Sequence, residues 1–139
     1  VRHGFRFGFE HNEPDIPLFA QPEHCAPVLE QVAELWFVWD LNHTEPEQLA
    51  GYLALAGRMS MLHVSDTPLP EVNYHLPLGM GSIDLAAYVG QVVQGGFEGP
   101  AILEIGGLPK SGGYGRDTDQ ALKDSLARIQ QVLAELPGR

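Results

Sequence analysis

Four times along this 139-residue chain a short β-type run gives way to a helical stripe, and each run ends in a side chain able to hold a cation. The alternation is the pattern of βαβ units laid on a parallel sheet, so the chain is predicted to be α/β. The first run, Phe5–Glu10, puts three phenylalanines on one face at period two and leaves Arg6, Gly8 and Glu10 on the other. The second, Leu35–Asp40, is apolar on both faces, as a strand covered on both sides should be. The third, Met59–His63, ends in an imidazole, and the fourth, Pro100–Glu104, in a carboxylate.

Helical stripes fill the intervals. Cys25, Val28, Leu29, Val32 and Ala33 recur at helical spacing, with Pro27 placed in the first turn. Thr44-Glu45-Pro46-Glu47 reads as a capping box opening a helix with Leu49, Tyr52, Leu53 and Ala56 on one side. Leu85, Val89, Val92 and Val93 form a third stripe stopped by Gly95-Gly96, and Leu122, Leu126, Ile129, Leu133 and Leu136 a long last one. Glycine and proline gather in two loops, Asp66 to Gly81 and Gly106 to Gly115, both after strand ends where α/β folds place binding loops.

Glu10, Asp40, His63 and Glu104 are 30, 23 and 41 residues apart, about one βα unit each, so parallel strands bring all four to one end of the sheet. Three carboxylates and an imidazole gathered in a buried site repel one another and cost several kcal/mol in desolvation unless a cation neutralises them. The set therefore points to a divalent metal. Mixed oxygen and nitrogen donors suit Mn²⁺ first, then Mg²⁺ or Co²⁺, with Zn²⁺ also compatible. Composition removes other classes. With 44% apolar and 19% charged residues the chain is that of a single globular domain, 1–139, rather than a disordered one. No apolar run is long enough for a membrane helix, and the first residues carry no secretory signal. One cysteine, Cys25, makes no disulfide within the chain, so a cytoplasmic location is expected. Eight basic residues against eighteen acidic ones, a net charge of -10, leave no basic stripe for a phosphate backbone; no nucleic-acid partner is expected.

At these residues the sequence resembles the xylose isomerase-like barrel superfamily, which holds sugar-phosphate isomerases and epimerases and the apurinic endonuclease family. The matching motifs are Phe9-Glu10-His11-Asn12, Trp39-Asp40-Leu41-Asn42-His43, His63-Val64-Ser65-Asp66, the run from His75 to Asp84, and Ile102-Leu103-Glu104. The resemblance implies that Glu10, Asp40, His63 and Glu104 are the metal ligands on strands 5 to 8 of a (β/α)₈ TIM barrel. It puts His43 and His75 in contact with substrate, or with a further metal in endonuclease-type members. Asn12 and Asp66 are counted with them as substrate-binding residues. A complete barrel takes about 250 residues, so the chain resembles the C-terminal half alone. Asn73 stands where an acidic residue is expected two positions before His75, and Met80 where glutamate is usual, which weakens a multi-metal nuclease.

The mechanism expected is proton transfer on a small sugar or hydroxy-ketone through a metal-stabilised enediolate, with Glu10 and Glu104 as the acid/base pair. Two alternatives stand beside it: metal-assisted phosphodiester cleavage at abasic DNA, and a non-catalytic barrel fragment or assembly subunit. An open sheet with two unpaired edges calls for a partner, either a second copy of the chain or an N-terminal half-barrel.

Overall fold

The structure, a computed structural model, describes residues 4, 6–106 and 118–136. Four parallel strands, β1 (Phe7–Glu10), β2 (Leu35–Asp40), β3 (Met59–Val64) and β4 (Ala101–Leu103), lie side by side in chain order. The helices α1 (Pro22–Gln31), α2 (Leu49–Leu53), α3 (Leu85–Gln94) and α4 (Asp119–Glu135) alternate with them. The expected α/β architecture of parallel units is thus observed. Phe5 of the first run, and the second loop beyond Gly106, lie outside the described residues.

One sheet face carries the core. Phe9, Phe37, Trp39, Met59, Leu62 and Val64 pack there beneath Cys25 and Leu29 of α1, Tyr52 of α2, and Tyr88, Val89 and Val92 of α3. Phe37 stacks on Tyr52 at 5.8 Å between ring centroids and Trp39 on Tyr88 at 6.3 Å. Each such aromatic contributes ~2 kcal/mol by burial alone. The register sets the opposite face: Gly8 and Glu10, Trp36, Val38 and Asp40, Met61 and His63, then Ile102 are partners across it. No helix among the described residues covers it, and Ile102 is 44% exposed.

That face depends on an irregularity the sequence pattern did not announce. Phe37 pairs with Met59 but Val38 with Met61, so Ser60 is an extra residue, a bulge whose hydroxyl donates to the Phe37 carbonyl at 3.3 Å. Simple alternation groups Met59 with Met61 and His63. The bulge instead sends Met59 into the core, 5% exposed, while Met61 and His63 stay on the open face.

Three helix expectations are corrected. Pro22 occupies the first turn of α1 and Pro27 sits inside the helix on a solvent-facing position, where its missing N–H is tolerated; Val32 caps the end and Ala33 lies beyond. The capping pair is Glu45 with Gln48, not one opened by Thr44: the Glu45 N–H donates to Gln48 Oε1 at 3.2 Å, and Thr44 instead accepts from Trp39 Nε1 at 2.8 Å. The second helix is broken, with 3₁₀ turns at Pro46–Gln48 and Ala56–Arg58 around a five-residue α2. On α4 the apolar stripe is only partly covered, Ile129 buried but Leu122 and Leu126 exposed. No helix of the described residues is long and apolar enough to cross a membrane.

Candidate metal centre

Parallel strands of equal sense deliver their C-terminal residues to one edge, and there Glu10, Asp40, His63 and Glu104 meet. One donor atom from each lies within 4.8 Å of all the others. His63 Nδ1 is 3.2 Å from Glu10 Oε1 and 2.7 Å from Glu104 Oε2. Asp40 is fully buried: its Oδ1 accepts from the Asn42 backbone N–H at 2.7 Å, whereas Oδ2 accepts no hydrogen bond.

The electrostatics of this cluster follow from its crowding. Burial pushes the Asp40 carboxyl up to about 7, the Asn42 N–H and His75 opposing and Glu104 and Glu10 adding to the rise. Hydrogen bonds to Glu10 and then Glu104 push His63 up to about 10. The same bond from His63 holds the Glu104 carboxyl below its ordinary value. Both shifts favour the protonated forms of Asp40 and His63, as crowding of like charges in a buried cluster requires. A buried carboxylate oxygen with no donor, beside two carboxylates and an imidazole, fits a divalent cation by its donor chemistry.

A second set surrounds the first. His43 lies in a 3₁₀ turn, Leu41–His43, that continues β2, with Nε2 3.4 Å from Asp40 Oδ2 and Nδ1 3.3 Å from the His11 carbonyl. His75 comes in from the β3–α3 loop: its ring meets that of His43 at 5.5 Å, and its Nδ1 reaches the Glu104 carbonyl at 3.1 Å. Asp40, His43 and His75 also bring one donor atom each within 4.8 Å of one another. Asn12 and Asp66 are placed differently. The Asn12 amide donates to the Leu18 carbonyl at 2.6 Å and ties down the loop after β1. Asp66 is 1% exposed, with Oδ1 accepting from Thr67 and Ile83 N–H groups and Oδ2 from Gly79, so its own loop occupies both oxygens.

Sequence reading missed two residues here. His11, given no role above, is 1% exposed, its ring tilted against Tyr52 at 4.3 Å between centroids and its Nε2 3.0 Å from the Asp40 carbonyl. Asn42 is wholly buried between Asp40 and His43. Each is a single polar residue beside a strand end, a position without any periodic signature.

The fold has counterparts among known proteins. A family model described as xylose isomerase-like TIM barrel matches residues 1–132. Among solved structures, a D-tagatose 3-epimerase-like protein superposes with a TM-score of 0.73 at 19% identity, over 97% of this chain and 49% of that one. The 3-keto-D-glucoside 4-epimerase YcjR from E. coli gives 0.71 at 17% identity, over 94% and 47%. A D-allulose 3-epimerase from Methylomonas sp. gives 0.73 at 18%, over 93% and 49%. The chain therefore spans about half the length of these structures, and its fold is that of half a TIM barrel. No curated protein sequence matches it.

Proposed function

The chain belongs to the xylose isomerase-like TIM barrel family, and from that premise we propose that it is the ion-binding half of a sugar isomerase or epimerase. The observation carrying this reading is the convergence of four donors from four successive strand ends around a buried carboxylate oxygen that accepts no hydrogen bond. The names of the solved relatives, all sugar epimerases or epimerase-like, supply the substrate class.

Glu10, Asp40, His63 and Glu104 would hold one divalent ion, Mn²⁺ in first place, with Mg²⁺, Co²⁺ or Zn²⁺ compatible with the same donors. An ion held by these residues would supply Lewis acidity, polarising the carbonyl of a hydroxy-ketone so that the adjacent C–H becomes more acidic. The chain's own groups do the rest. Glu10 and Glu104 come from the two edge strands and flank His63, so one carboxylate can take the α-proton while the other returns it from the opposite side. Asp40, buried and anchored through Oδ1, holds rather than transfers. His43 and His75, ring against ring beside Asp40, would orient substrate hydroxyls. Asn12 serves by shaping the β1–α1 loop at the mouth, and Asp66 by shaping the β3–α3 loop, since both its oxygens are engaged. A ring completed by four more βα units, from a second copy or another half-barrel, would cover the open face. The single cysteine, free and buried, supports a cytoplasmic setting.

Calorimetric titration of metal-stripped protein with Mn²⁺ tests this. One ion per chain at micromolar affinity or tighter is expected, with Glu104→Ala weakening binding at least tenfold and abolishing exchange of a ketose α-hydrogen with deuterated water. Absence of binding, or Glu104→Ala titrating like the unaltered chain, would overturn the assignment.

A further inference from the structure

Asn42 uses every hydrogen-bonding group it has. Its backbone N–H donates to Asp40 Oδ1 at 2.7 Å, and its carbonyl accepts from the Asn73 N–H at 2.8 Å. Its side-chain Nδ2 donates to Ser65 Oγ at 2.7 Å and to the Asp66 carbonyl at 3.0 Å, while Oδ1 accepts from the Tyr74 N–H at 2.8 Å. The amide orientation is unambiguous, because a backbone carbonyl only accepts and a backbone N–H only donates. Three segments therefore meet on one residue: the turn after β2, the end of β3, and the loop that brings in His75.

An asparagine wholly withdrawn from water is costly unless satisfied in this way, and the helical-turn position it occupies does not itself favour asparagine. What the arrangement achieves lies on either side of it. With the turn locked, the Asn42 N–H stays on Asp40 Oδ1, so that Oδ2, 3.4 Å from His43 Nε2, is the oxygen that accepts no hydrogen bond. With Tyr74 locked, the next residue, His75, is held in left-handed backbone (φ +48°) and its ring stays on the Glu104 carbonyl. We infer that Asn42 is the positioning residue of this centre, presenting Asp40 to the ion through one oxygen and fixing the His75 loop to the same frame. This rests on the metal reading above for its first half and is independent of it for the second.

The test uses the 139-residue chain, Asn42→Ala, the milder Ser65→Ala that deletes one of these partners, and Arg58→Ala. Arg58 binds carbonyls at the end of α1, away from the centre, and controls for lost stability. Two readouts are taken: Mn²⁺ affinity with the line shape of the bound Mn²⁺ resonance, and amide hydrogen exchange of the metal-free protein. Asn42→Ala should weaken Mn²⁺ about 10- to 100-fold, the usual effect of losing a residue that orients a ligand, and broaden the resonance as Asp40 samples one- and two-oxygen geometries. Ser65→Ala should shift affinity in the same direction by less, and Arg58→Ala should leave it within about twofold. In metal-free protein Asn42→Ala should speed exchange at Tyr74 and Leu76 together with the amide of residue 42. If the unaltered chain binds Mn²⁺ and Asn42→Ala binds it equally well, the positioning role is wrong. If the unaltered chain takes no Mn²⁺, the metal reading falls and exchange alone decides. Protection kept at residue 42 and Leu76 in both Asn42→Ala and Ser65→Ala then overturns the inference, and coordinated loss upholds the loop lock.

Discussion

His11 and His63 are separated by one strand of the sheet and titrate in opposite directions. His11 is enclosed by Phe37, Tyr52 and His43, and burial, with His43 adding, pushes its pKa down to about 4 from 6.5. Between those values the unfolded chain takes up a proton that the folded chain refuses. The cost is absent above pH 6.5 and grows as pH falls toward 4, reaching ~3 kcal/mol. Urea unfolding at pH 7.5 and pH 4.5 should therefore show a smaller acid loss for His11→Gln than for the unaltered protein; equal losses would deny that His11 is held neutral. His63 contributes the reverse: its raised pKa stabilises the fold fully below pH 6.5, and that contribution is lost as pH rises through about 10. The sequence made the four donors legible because each ends a run of recognisable period. It could not rank His11 above His24 or His3, since burial of a lone histidine is decided by neighbours from other elements.

At the scale of elements the sequence told strands and helices apart but not their irregularities. The β3–α3 loop depends on glycines for two distinct reasons. Gly79 has φ +91°, the left-handed region that costs other residues strain, whereas a Cβ on Gly81 would collide with Asp66 Oδ1 and with the backbone of Thr67. Gly81→Ala must then displace the carboxylate that three N–H groups share, so it should destabilise the protein by about 1–3 kcal/mol. Denaturant midpoints measure that directly; a change below ~0.5 kcal/mol would mean the loop yields freely. Other details were out of reach for a similar reason. Arg58 donates to the carbonyls of Leu29, Val32, Ala33 and Leu35, doing for the end of α1 what a capping glycine does elsewhere. No pattern within α1 announces a partner more than twenty residues on. The Ser60 bulge is equally invisible, because Met59 and Met61 suit either face.

At the largest scale, the described residues leave one side of the sheet without a covering helix. Trp36, Val38, Met61 and Ile102 form an apolar floor beneath the carboxylates, while Phe7 at one edge strand and Leu122 and Leu126 of α4 are exposed. Apolar area of this kind is normally an interface, and the edges of β1 and β4, unpaired among the described residues, are templates for further strands. Sedimentation across a concentration series should show association near 100 µM, weakened by Ile102→Lys; a monomer at every concentration that also fails to bind a hydrophobic dye would contradict it. Fold class was readable from alternation alone, whereas which face stays open required the register. The distribution of the four donors also has a bearing on inheritance. Each sits on a different βα unit, so an exchange of genetic material at any connection between Glu10 and Glu104 divides the set, while replacement of whatever lies outside that interval leaves it whole. The four-donor cluster is therefore transmitted as one block, whatever is recombined around it.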